Sequence, residues 1–360
     1  MKTLPILPTS VVGSLPRPAW VRDLISNRTP LSDEQAVKAM DTAVRYAVAL
    51  QEQAGLDIIS DGEWRRKSYI GVIADLAEGF ELSSHPRDDR PMTTVVGRLL
   101  ARNSGFIARE IDFLKNITTR AVKATLPSPA LLGERLWDPV RSSSAYSRRE
   151  DFVRDCVPIL RDEILRIRDA GADIIQVDDP HLCLFVDARI RESYSDPDEA
   201  ADFGVETVNA LLEGIKGVKL AVHLCRRAGA RARGESSLEG GYEPILGQLS
   251  RLKVDHLTLE FSAGAAGSMA VLGRLRDELE VGLGCVDVTP GKVDSVETIM
   301  ARVESALEFL PADRITLNPD CGFAPGSGAA VSLDEAYAKL CNQTEAARLL
   351  RAALPGTRRR

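Results

Sequence analysis

The stretch "VHLCRRAG", Val222–Gly229, sets a histidine and a cysteine two positions apart at the end of an apolar run, in a chain of 360 residues with only four histidines. On a strand, residues two apart point to the same side, so His223 and Cys225 could grip one ion together. Alone, the pair reads more readily as a packed strand end, with a satisfied core histidine and a cysteine used as a small apolar plug. Two further residues change the balance: Glu260 in "LTLEFS", and Cys321 in "NPDCGF", where a glycine follows a polar strand end. One imidazole, two thiols and a carboxylate form a sensible ligand set for zinc. Two thiolates and a carboxylate around Zn²⁺ leave the centre with a charge of −1, poor for making hydroxide. Such a centre suits a substrate thiol held as a thiolate, with Glu260 free to yield as the thiol enters. The reaction class these residues suggest is alkyl transfer to sulfur. The other cysteines, Cys156, Cys183, Cys285 and Cys341, read as packing residues.

Something must bring these distant residues together. Short β-branched runs alternate with long amphipathic stretches along the whole chain, which is a βα repeat. Eight strands are expected, at Thr9–Ser14, Asp57–Glu63, Val122–Pro127, Asp173–Pro180, Val218–Cys225, Asp255–Ser262, Glu280–Asp287 and Arg314–Cys321. Helical spacing of apolar residues marks Asp33–Ala54, Asp151–Ala170, Pro197–Glu213, Val296–Phe309 and Leu333–Ala353. Eight units over this length predict an α/β fold, a (β/α)8 TIM barrel, in one domain spanning 1–360. Residues 70–119 are too long for one connection and contain the alternating "MTTVVGRLLA", which predicts an inserted hairpin and helix.

In such barrels chemistry collects where the strands end. Those ends hold Gly13 and Ser14, then Asp61, Gly62 and Glu63, then Ser128, then Asp178, Asp179 and His181. The later ones hold His223 and Cys225, Glu260, Asp287 and Thr289, and finally Asp320 and Cys321. Composition narrows the partners. A net charge of −6 and a pI near 5.5 leave no basic footprint for nucleic acid, and the only notable basic run is the terminal "RRR". No window reaches the roughly 18 apolar residues of a membrane span. Six cysteines without an evident signal peptide lead us to expect a reducing, cytoplasmic setting.

Taken in order, "VVGSLPRP", "SDGEWRR", "IIQVDDP", "VHLC", "LTLEFS", "VDVTPGKVDSVE" and "LNPDCGF" resemble the catalytic C-terminal barrel of the cobalamin-independent methionine synthases, over nearly the whole chain. The resemblance implies a barrel of the methionine synthase and uroporphyrinogen decarboxylase-like type. It implies zinc ligands at His223, Cys225, Glu260 and Cys321, and contacts to the amino-acid part of homocysteine at Ser14, Glu63 and Asp178. The chemistry is consistent: an ammonium seeks carboxylates, and a substrate carboxylate seeks the hydroxyl and N–H groups near Gly13 and Ser14. The implied activity is methyl transfer from a methyltetrahydrofolate-type or methylcorrinoid donor, free or on a corrinoid protein, to homocysteine or a similar small thiol.

The chain departs from the family in three ways. It has one barrel rather than two in tandem, Thr289 stands where the family has a histidine, and "PSPALLG" replaces a tryptophan-bearing stretch that stacks on folate. Without that histidine, a proton for the departing donor would come from Asp287, if burial raised its pKa, or from His181. Two other readings stay open at this point: alkyl transfer to another thiol, as in epoxide:coenzyme M transferases, and a metal-free decarboxylase-type barrel. Oligomeric state is not legible.

Overall fold

The structure is a computed structural model that describes residues 2–26, 28–84, 91–102, 105–226, 238–324 and 331–354. Among these, nine strands occur: β1 (Ile58–Ile59), β2 (Ala77–Ser84), β3 (Pro91–Ala101), β4 (Ala121–Pro127), β5 (Ile174–Asp178), β6 (Lys219–Leu224), β7 (His256–Glu260), β8 (Glu280–Val286) and β9 (Ile315–Pro319). Seven form one parallel sheet in the order β1-β4-β5-β6-β7-β8-β9. Thr9 pairs with Leu317 of β9 and Ser10 with Ile58 of β1, both parallel, so the N-terminal segment closes the ring. The result is the expected (β/α)8 barrel.

Two of the expected strands are much shorter than their β-branched patterns suggest. Beyond Ser10, the carbonyls of Val11, Val12 and Gly13 accept hydrogen bonds from the Lys123, Gln176 and Ser60 side chains, so no ladder forms there. After Ile59 the chain turns instead of extending: Ser60 Oγ accepts Gly62 N–H at 3.1 Å and Asp61 Oδ1 accepts Glu63 N–H at 3.0 Å. Gly62 (φ 69°) and Glu63 (φ 59°) are both left-handed, a region that a residue with a Cβ rarely occupies.

Strand alternation sorts the side chains. Outward-facing Val122, Ala124 and Leu126, Ile175 and Val177, Val222 and Leu224, and Leu257 and Leu259 join the core shared with the surrounding helices. A small apolar cluster of Ile58, Ala121, Ile174 and Ala221, with Leu4 against it, fills the barrel floor. One step of two residues further along the strands, the same inward face carries Ser60, Lys123, Gln176 and His223. The barrel interior is thus apolar at its base and polar above.

The expected long helices form at Asp33–Ala54, Arg149–Asp169, Pro197–Leu212, Val296–Leu307 and Leu333–Ala353. Most begin at a side-chain cap, from Ser32, Asp196, Ser295 and Ser332 respectively, with Arg149–Asp169 the exception. Between β1 and β4 the chain makes an antiparallel β2–β3 hairpin and a helix, Phe106–Ile117. Buried Glu163 of a neighbouring helix receives the N–H groups of Gly105, Ile107 and Ala108 and so caps that helix from outside. No helix among the described residues is long and apolar enough to cross a membrane. The terminal "RRR" and residues 227–237 lie outside the described residues.

Ring closure depends on the last helix. Fully buried Gln343 donates from Nε2 to Ser10 O (2.9 Å) and Leu317 O (2.8 Å), bracing the seam between the N-terminal segment and β9. Gln343→Ala strands the Ser10 carbonyl, while Leu317 O keeps the Ser10 N–H, and we expect a loss of about 1–3 kcal/mol in urea unfolding with an unchanged denaturant slope. An unchanged midpoint would mean the seam does not depend on this contact.

Candidate functional site

At the C-terminal ends of the strands lies a pocket of about 370 Å³. Val12, Gly13 and Ser14 of the closing segment line it, with Glu63 and Tyr69 from the turn after β1, and Asp178 and Pro180 from the end of β5. His223 and Cys225 enter from β6, and Cys321 and Gly322 from beyond β9. Residues some 300 positions apart in sequence meet here because the barrel is closed.

One side of the pocket suits a metal. Ligand atoms of His223, Cys225 and Cys321 all lie within 4.8 Å of one another, with the two sulfurs 3.1 Å apart. His223 Nδ1 lies 3.3 Å from Thr258 O, which favours the tautomer carrying its proton there. His223 Nε2 is buried without a hydrogen-bond partner. An imidazole nitrogen whose neighbours are two thiols is a ready ligand, with both sulfurs, for an ion that displaces their protons. The residues therefore fit a thiophilic metal. Glu260 is not brought into this group. It is fully buried, but Oε1 accepts Arg226 N–H at 2.8 Å, and Tyr242 Oη receives Glu260 N–H at 2.9 Å.

A hydrogen bond with Cys225 and burial push the Cys321 thiol well above its ordinary range. Burial opposes charge on His223, yet Cys225, Asp178 and the Thr258 carbonyl together raise its imidazole pKa.

The same pocket also holds two carboxylates. Asp178, adjacent to His223 across the β5–β6 ladder, is raised to about 7, chiefly by burial, while His223 works the other way. Its Oδ1 accepts Gln176 Nε2–H at 2.7 Å. Glu63 Oε1 accepts Thr125 Oγ1–H at 2.8 Å, and Arg66 in turn donates to Thr125 Oγ1 and O. Arg66 is itself held by Glu110 at 2.8 Å in a fully buried pair. Gly13 must lack a side chain here, because a Cβ would come within 2.6 Å of Glu63 Oε1. Ser14 Oγ accepts Ala324 N–H at 3.2 Å, tying the closing segment to the turn that carries Cys321.

Sequence reasoning missed Tyr69, Thr125, Arg66 and Gln176. Tyr69 left no periodic signal, but Thr125 and Gln176 are each two residues from an inward-facing position and could have been found by strand parity. Neither residue expected to supply a proton lies in the pocket lining. Asp287 is a correction: despite its burial, Lys292 Nζ at 2.6 Å and Thr289 N–H at 2.8 Å hold its pKa at about 2, so it is a carboxylate at neutral pH. His181 turns towards Glu134, 3.2 Å from Nδ1, and stacks edge-on against Phe185 in the helical layer. Thr289 O is an acceptor for the buried Lys339.

Comparison with known proteins agrees with this geometry. Residues 7–349 match the model of the cobalamin-independent synthase catalytic domain, so the chain belongs to that family. It is a methyltransferase of the methionine synthase type. A methionine synthase of Saccharolobus solfataricus is 28% identical over 363 residues, covering 98% of each chain. Among solved structures, a B12-independent methionine synthase from a Shewanella species superposes with a TM-score of 0.79 at 27% identity, covering 97% of this chain and 98% of that one. A Listeria monocytogenes protein shares the fold with a TM-score of 0.72 at 23% identity, covering 97% and 99%.

A metal entering the group must displace the protons raised on Cys321 and His223, so its affinity falls as pH is lowered. Calorimetry in buffers of different ionisation enthalpy should show proton release on metal uptake, and affinity rising between about pH 6 and 8. Cys225→Ser and Cys321→Ser should lose the metal. PH-independent binding, or full retention by both variants, would contradict this assignment.

Proposed function

We propose that this protein methylates the sulfur of homocysteine to give methionine, with zinc held by His223, Cys225 and Cys321. What carries this reading is one pocket that brings together a His/Cys/Cys group and two buried carboxylates, Glu63 and Asp178. Homocysteine offers a thiol and an ammonium separated by a short chain, and the two kinds of group are complementary to those ends. When bound, the ion supplies the positive charge that keeps a thiol deprotonated near neutral pH. His223, Cys225 and Cys321 would hold the ion, and Glu260, whose Oε1 accepts Arg226 N–H, lies at the end of the neighbouring strand β7.

The chain's own residues do the rest. Glu63 and Asp178 receive the ammonium, whose charge draws Asp178 into its carboxylate form. Ser14 and nearby backbone N–H groups serve the substrate carboxylate. Among the described residues that line the pocket there is no lysine or arginine, which favours an amino acid over a sulfonate-bearing thiol. The Shewanella relative is described in complex with selenomethionine, the selenium counterpart of methionine, which supports a product of this kind.

For the donor, a methylated folate amine leaves readily only if it is protonated as the methyl departs. Asp287 is held as a carboxylate and His181 is paired outside the pocket, so this chain favours a donor needing no such acid, such as a methylcorrinoid. Assays of zinc-loaded protein with each donor in parallel should show faster turnover with methylcobalamin than with polyglutamylated methyltetrahydrofolate. Rapid folate-dependent turnover that persists in Asp287→Asn and His181→Ala would refute this choice of donor.

Asp178 gives the acceptor reading its own test. Since its pKa is raised to about 7 by burial, protonation as pH falls through that value removes the partner for the ammonium. The KM for homocysteine should therefore climb below neutral pH. Asp178→Asn should raise it by about tenfold or more at pH 8, the loss of one charge-assisted hydrogen bond. A KM unaffected by either change would remove Asp178 from substrate binding.

A further inference from the structure

Directly below the pocket, the barrel encloses a lysine that the chemistry above does not use. Lys123 of β4 is buried inside the ring and donates from Nζ to Val11 O and, at 3.2 Å, to Gln176 Oε1. Gln176 of β5 is fully committed in turn. Its two amide hydrogens go to Val12 O (3.1 Å) and Asp178 Oδ1 (2.7 Å). Both contacts face upward, since Val12 and Asp178 line the pocket and Gln176 does not.

We infer that Lys123 and Gln176 are positioning residues for recognition of the substrate ammonium: they hold Asp178 with Oδ1 engaged from below and Oδ2 left for the pocket. The inference rests on the reading of Asp178 as an ammonium contact. An amide has two donors on one side and one acceptor on the other, so its orientation follows from what surrounds it. Here two acceptors, Val12 O and Asp178 Oδ1, claim Nε2, while Lys123 is the donor that satisfies Oε1. Without that donor, Oε1 is a buried acceptor with no partner, and the amide has reason to turn away from Asp178.

The lysine also answers a charge problem. Glu63 and Asp178 are two buried carboxylates facing one pocket, and the charge on Glu63 disfavours ionisation of Asp178. Lys123 is the cation beneath both, and burial lowers its pKa to about 7 against the pull of Asp178 and Glu63. An amine donates to both of its acceptors whether charged or neutral, so the contact with Gln176 does not depend on its protonation state.

The test compares two thiols: homocysteine and 4-mercaptobutyrate, which lacks only the amino group. The proteins are the metal-loaded wild type, Lys123→Met and Gln176→Met, each checked for metal content and fold. Gln176→Met keeps a similar shape, so it serves if Lys123→Met folds poorly. In each variant we expect the homocysteine KM to rise about tenfold, kcat to stay within about threefold, and the 4-mercaptobutyrate KM to change little. Metal content should match the wild type. If the wild type favours homocysteine and both variants keep that preference, or shift both thiols equally, the positioning role is overturned. If the wild type itself does not discriminate between the thiols, the ammonium reading of Asp178 fails, and this inference falls with it.

Discussion

A closed ring of parallel strands has an interior only a few side chains wide, so every inward residue must find its partner among a small set of others. In this protein that constraint is met with polar groups above an apolar floor. Lys123 and Gln176 take up carbonyls of the closing segment, Val11 and Val12, that would otherwise be bonded in a strand ladder. The eighth member of the ring is consequently a short bridged segment rather than a regular strand, and its free end, Gly13–Ser14, becomes part of the pocket wall. Closure and site construction are the same set of contacts.

The pocket's two halves are built by opposite means. On the metal side, polar atoms are left wanting: His223 Nε2 has no partner, and two thiols crowd against one another. On the carboxylate side, positions are fixed from behind. Thr125 and Arg66 hold Glu63, and Gln176 holds Asp178. Glu63 also keeps a left-handed backbone, a strained state that persists only where surrounding contacts enforce it, which is common at functional sites. The carboxylates that face the pocket are thus held from behind, away from it.

How much of this the sequence reveals depends on the length scale of the signal. The βα alternation is read from apolar periods of two and three to four, and the strand positions from Val122 to Cys321 follow it closely. The first two strands mislead because "SVVGS" and "DIISDGE" have β-branched composition, yet the carbonyls of the first take side chains inside the barrel, and the second turns onto its own Ser60 and Asp61 side chains and onto Gln51 of the Asp33–Ala54 helix. Metal-capable residues are visible because His, Cys and Cys are few and fall at strand ends. Glu260 falls at a strand end too, and its Oε1 accepts the backbone N–H of Arg226, a contact that no spacing rule anticipates. Asp287 shows the same limit: whether burial raises a carboxylate or a neighbouring lysine lowers it depends on Lys292, five residues on, folding back to 2.6 Å.

The account stands on a thiol and a metal meeting at the His223–Cys225–Cys321 group. X-ray absorption at the zinc edge of the metal-loaded protein reads the sulfur neighbours directly. The account predicts two sulfurs, from Cys225 and Cys321, in the free protein and one more when homocysteine is added, with no gain on adding homoserine. A sulfur count that homocysteine leaves unchanged, or a resting site without both cysteine sulfurs, would contradict it.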